Sequence, residues 1–130
     1  MNGSDHYSNI LLIEDDPDDQ ELFVSALKEI SPHLKCIIEN SALSALEKLL
    51  SRQIMADLIF LDLNIPGMNG FEFLGEVKKE QSLCEIPIVI LSTTSQDSAK
   101  FTTIALGAKD FITKPNNYRD LVNIISFQLS

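Results

Sequence analysis

Five short apolar runs, each followed by a segment with helical periodicity, constrain this chain more than any other feature. Residues 9–13 (NILLI) are too short an apolar run for a helix and read as a strand. In the next segment, Phe23, Ala26, Leu27 and Ile30 fall at i, i+3, i+4 and i+7 before Pro32 stops the pattern. Pro17 suits the first turn of that helix, and Asp18 and Asp19 suit its dipole. Residues 34–40 (LKCIIEN) give a second strand, and 41–52 a helix capped by Ser41 with Leu43, Leu46 and Leu50 on one face. Residues 57–61 form strand three, and Phe71, Leu74 and Val77 mark the helix after a turn at Gly70. Strand four is 86–91 (IPIVIL), and a weaker helical pattern runs from about Asp97 to Gly107. Strand five is 110–113 (DFIT), and Leu121, Ile124 and Ile125 give a last helix. Strict alternation of near-continuous apolar strands with helices predicts an α/β fold: a parallel sheet covered on both faces. Right-handed crossovers cover both faces only if the winding reverses once, and the common five-strand solution is a doubly wound sheet of order 2-1-3-4-5. Ligands in such sheets bind at the carboxyl ends of strands one and three, beside the reversal.

A chain of 130 residues, 45% of them hydrophobic, builds one core and leaves no room for a second domain. The division expected is a tail at 1–8 and a single domain over 9–130. The balance of 10 basic and 19 acidic residues gives a charge of -9, which opposes nucleic acid and anionic membranes, and no local basic patch offsets it. Neither is expected as a partner. The N-terminus has no basic segment followed by an apolar run, and no stretch approaches roughly 18 apolar residues, so the expected compartment is the cytoplasm. Cys36 and Cys84 match no metal-ligand spacing and read as reduced core thiols.

The strand ends are chemically distinctive. Strand one ends in Glu14-Asp15-Asp16, strand three in Asp62, strand four in Ser92-Thr93-Thr94 and strand five in Lys114-Pro115, all on one rim. Ordinary loop polarity explains any one of these, as Glu39-Asn40 after strand two illustrates. It does not explain carboxylates, a hydroxyl and an ammonium converging on the switch point. Clustered carboxylates raise one another's pKa unless a positive charge lies among them, and a hard divalent cation such as Mg²⁺ answers that need while leaving positions open for phosphate oxygens. An ionised Asp62 beside a cation and Lys114 is suited to attack phosphorus, because phosphoryl transfer depends on positioning and charge neutralisation. Ser92 could donate a hydrogen bond to the transferred group.

These motifs resemble the receiver domain of a two-component response regulator, of the stand-alone type, over about residues 8–130. The acidic pair matches Glu14 and Asp15, the D-x-x-x-P-x-x-x-G pattern matches Asp62, Pro66 and Gly70, the switch hydroxyl falls on Ser92, and the K-P pair on Lys114-Pro115. The resemblance implies a flavodoxin-like fold and phosphorelay signalling without enzymatic turnover of a substrate, Asp62 being phosphorylated by a phosphohistidine of a sensor histidine kinase or phosphotransfer protein. His6 and His33 lie outside the site, so the donor is expected on another chain. It further implies Mg²⁺ held by Asp15, Asp62 and the backbone carbonyl of Asn64, with Glu14 acting through water. Lys114 would bridge Asp62 and the phosphoryl oxygens, with a cis bond to Pro115. Asp16 is expected to cap the helix starting at Pro17, and Asp18, Asp19 and Glu21 to be a solvated helix start.

On phosphorylation Ser92, Thr93 and Lys114 would follow the new oxygens inward and shift the surface of helix four, strand five and helix five. Phe111 stands where the family often has tyrosine; it is expected to rotate inward on activation, with a plain core aromatic as the alternative. The output would be protein contact, with pairing of two copies left open and phytochrome-like kinases among the donors considered. Two competing readings remain. A phosphohydrolase of the haloacid dehalogenase type would want a second aspartate where Asn64 stands, and a binding module that is never phosphorylated would not need the complete site.

Overall fold

The computed structural model describes residues 7–93 and 96–130, so the tail with His6, and Thr94 and Ser95 after strand four, lie outside the described residues. The chain alternates β1 (Asn9–Ile13), α1 (Pro17–Ile30), β2 (Lys35–Glu39), α2 (Ala42–Leu50), β3 (Leu58–Asp62), α3 (Gly70–Lys79), β4 (Ile88–Ser92), α4 (Asp97–Ala105), β5 (Asp110–Thr113) and α5 (Tyr118–Leu129). All five strands are parallel, in the order β2-β1-β3-β4-β5. The alternation therefore yields the expected doubly wound topology, with the reversal between β1 and β3.

Side chains alternate across the sheet. Leu11, Ile13, Ile59, Leu61, Ile88 and Ile90 face one buried cluster with α2 and α3, and Ile10, Leu12, Leu58, Phe60, Val89 and Leu91 face a second with α1 and α5. The Phe23 and Phe60 rings meet edge to face, 4.9 Å between centroids. Strands buried on both faces carry no polar side chains in their interiors, so polar groups concentrate at their ends.

Several local expectations need correction. Strand four starts at Ile88, not 86, because Pro87 has no N–H for the ladder and contributes only its carbonyl, which accepts from Ile59 N at 3.0 Å. Helix α2 buries Ala42, Ala45, Leu46 and Leu49, while Leu43 and Leu50 are exposed. The apolar positions of α2 form two overlapping stripes, and the one carrying small alanines approaches the sheet. The helix caps agree with expectation. Asp16 accepts from the backbone N–H groups of Asp18 and Asp19, and Ser41 from that of Ser44.

Two glycines have specific work. Gly67, in the turn after Asp62, holds φ at +86°, a conformation costly for a side chain. Gly70 starts α3 so close to the preceding loop that a Cβ would lie 2.6 Å from Leu63 Cδ1 and 3.3 Å from its Cα. A side chain at that point would have to displace the Leu63 side chain and press on its backbone.

Candidate functional site

Asp62 is the last residue of the central strand, flanked by β1 and β4, and is only 4% exposed. Its Oδ1 accepts from the backbone N–H of Asn64 at 2.9 Å, and its Oδ2 from Lys114 Nζ at 3.2 Å. Glu14, one residue beyond β1, is buried beside it, and Asp15 is exposed at the rim. Ligand atoms of Glu14, Asp15 and Asp62 all lie within 4.8 Å of one another. Three oxygen donors so close form a site suited to a hard divalent cation.

Lys114 emerges where β5 ends, and its backbone N–H donates to Ser92 O at 2.7 Å, joining the ends of β4 and β5. Its ammonium donates to Glu14 Oε1 at 2.7 Å, Asp19 Oδ2 at 2.9 Å and Asp62 Oδ2 at 3.2 Å. Burial opposes the Lys114 charge, but the bonds to Glu14 and Asp19 and the charges of Asp62 and Glu14 outweigh it, and its pKa is raised. Burial and the adjoining Asp62 carboxylate push Glu14 up from 4.5 to about 7, Lys114 offsetting part of the rise. The site thus gathers three carboxylates around one ammonium, with Asp15 beside two of them. Excess negative charge of this kind attracts a cation, since unit charges about 4 Å apart near a surface interact by roughly 4 kcal/mol.

Ser92, fully buried at the end of β4, donates to Asn64 Oδ1 at 3.2 Å. Thr93 adds its backbone N–H at 3.4 Å and its hydroxyl at 3.3 Å to the same oxygen. The Asn64 amide therefore ties the Asp62 turn to the hydroxyl loop, a role that the sequence alone did not indicate. Pro66 lies exposed in the turn between Asp62 and Gly70.

Two expectations fail here. The Lys114–Pro115 bond is trans, not cis. Trans is the lower isomer of such bonds by about 0.5–1 kcal/mol, and Lys114 reaches all three carboxylates from it, so nothing at the site calls for cis. The Phe111 ring is buried against the α3 side of the core, in keeping with the alternative of a plain core aromatic. Asp19, expected to be a solvated helix start, instead bonds Lys114. The sequence carried a signal for it. Asp19 lies four residues before the buried Phe23, hence on the inward side of α1.

The family model described as the response regulator receiver domain matches residues 10–126. The chain belongs to this family. Among similar structures, the phosphorylated cyanobacterial phytochrome response regulator RcpA is 30% identical, with a TM-score of 0.86 over 94% of this chain and 91% of that one. The Mn²⁺-bound form of response regulator Rcp1 is also 30% identical, with a TM-score of 0.84 over 92% and 90%. Response regulator Rcp1 of Synechocystis sp. aligns over 89% of this chain and 82% of its own length at 31% identity. A protein-glutamate methylesterase/protein-glutamine glutaminase of Treponema denticola is 41% identical over 82% of this chain, but this chain spans only 28% of that protein. The likeness there is to the receiver segment alone, and no catalytic activity follows from it. The chain is a receiver domain of two-component signalling, and it brings Glu14, Asp15, Asp62 and Lys114 together on one rim. No helix among the described residues is long and apolar enough to cross a membrane.

Proposed function

We propose that this receiver accepts a phosphoryl group on Asp62 from a phosphohistidine of a sensor histidine kinase or phosphotransfer protein. In the transfer, an Asp62 carboxylate oxygen forms the new O–P bond as the N–P bond of the donor breaks, and the imidazole leaves with the bonding pair. The observation that carries this reading is the placement of a nearly buried strand-end carboxylate against Lys114 and within the Glu14, Asp15 and Asp62 cluster. We assign Mg²⁺ to that cluster, with Asp15 and Asp62 and the Asn64 carbonyl as ligands and Glu14 acting through water. When bound, the cation neutralises the carboxylates and the transferred oxygens. Support for a divalent ion comes from the donor set and from the similar Rcp1, whose structure holds Mn²⁺.

Lys114 and Ser92 bear the signal in this reading. A phosphoryl group supplies new acceptor oxygens, so Ser92 leaves Asn64, Lys114 shifts, and the β4 and β5 ends to which both are bonded move with them. The face affected is α4, β5 and α5, where Phe101 is 77% and Phe127 71% exposed, as suits a surface that binds protein. The likeness to the phytochrome response regulator RcpA, whose structure is of the phosphorylated form, supports phosphorylation of this chain. The test is incubation with acetyl phosphate and Mg²⁺ followed by intact mass. One phosphoryl group is expected on the native chain and none on Asp62→Asn; labelling of that variant at the native rate would overturn the assignment.

A further inference from the structure

Lys114 has three N–H donors, and three carboxylates take them: Glu14, Asp19 and Asp62. Phosphorylation frees the one donor that Asp62 Oδ2 holds, and the phosphoryl group, with three acceptor oxygens, can take a second only if Glu14 or Asp19 gives it up. The three are not equivalent. Glu14 and Asp62 share the cluster that would hold a cation, while Asp19 lies outside that cluster and its side chain is 41% exposed. Water can therefore solvate Asp19 when it is released, whereas Glu14, nearly buried, has little access to water. The Asp19 bond ties the ammonium to α1, and both residues line a cavity of about 120 Å³ together with Leu22, Leu121 and Tyr118.

We infer that Asp19 is a positioning residue that competes with the phosphoryl group for Lys114, restraining the unphosphorylated state. The inference rests on the phosphoryl-acceptor reading of Asp62. Because Asp19 holds Lys114 only when the phosphoryl group does not, its bond is a differential contact, and removing it shifts the equilibrium toward the phosphorylated form. Uniform relief of negative charge would shift it as well. Asp18, on the same helical turn and fully outside the Lys114 shell, supplies the charge-matched comparison.

The test is calorimetric titration with beryllium fluoride in the presence of Mg²⁺, a stand-in for the phosphoryl group that binds at equilibrium. Asp19→Asn is expected to bind it about three- to fivefold more tightly than Asp18→Asn, the upper part of the range for a partly exposed ion pair. Asp19→Ser, measured beside it, should show the same gain, and thermal unfolding of each variant establishes that it is folded. A gain in affinity is not what loss of a merely structural contact produces. Equal affinities for Asp19→Asn and Asp18→Asn, or weaker binding by Asp19→Asn, would overturn the inference while leaving the acceptor reading in place. If the native chain itself binds no beryllium fluoride, the acceptor reading falls and this inference with it.

Discussion

Lys114 holds together a group of side chains that would otherwise repel. With its ammonium removed, Glu14 and Asp62 are left nearly buried without a counter-charge, and Asp19 loses its partner. Breaking a buried pair costs about 3–5 kcal/mol; the Lys114 side chain is partly open to water and Glu14 can take up a proton, so about 1–3 kcal/mol is expected for Lys114→Ala without metal. Added Mg²⁺ should restore most of that loss, since the cation supplies the missing charge. Urea unfolding of the variant with and without Mg²⁺ measures both quantities, and a loss indifferent to Mg²⁺ would place Lys114 among purely structural residues. The meeting of Glu14, Asp15 and Asp62 with Lys114 was legible because charged residues at the ends of parallel strands in one sheet share a rim. Asp19 was not, because an acidic first turn is equally explained by the helix dipole, and only the position of Phe23 distinguishes the two.

Strand and helix identities followed from periodicity, and their boundaries from particular backbone constraints. Pro87 delays β4, Gly107 at φ +106° closes α4, and Gly70 permits α3 to begin beside the Leu63 backbone. The inward face of α2 was misread because Leu43 and Leu50 outweigh alanine on any hydrophobicity scale, yet the close approach to the sheet selects Ala42 and Ala45. For Gly70→Ala the added methyl meets both a movable Cδ1 and an immovable Cα of Leu63, so strain of about 1–3 kcal/mol is expected. Chemical denaturation reads this directly. A variant as stable as the native chain would mean that the α3 start can shift freely, and that the turn after Asp62 is less constrained than its contacts indicate.

At the scale of the molecule, one sheet end carries the chemistry and the rest of the fold holds it in place. The net charge of -9 and the cluster of three carboxylates, Glu14, Asp15 and Asp62, favour cations over polyanions. A cation bound only by the folded state adds RT ln(1 + [L]/Kd), about 2.7 kcal/mol at a hundredfold excess over Kd. The melting temperature should therefore rise with Mg²⁺, and Asp15→Ala should remove most of the rise, as thermal scans will register. The central claim is that Asp62 forms an acyl phosphate. Borohydride reduces an acyl phosphate to the alcohol, so treatment of the acetyl phosphate-labelled chain followed by peptide sequencing by mass reports the acceptor. The account predicts homoserine at position 62 and at no other aspartate; homoserine at Asp15 or Asp16, or labelled protein with none at all, would contradict it.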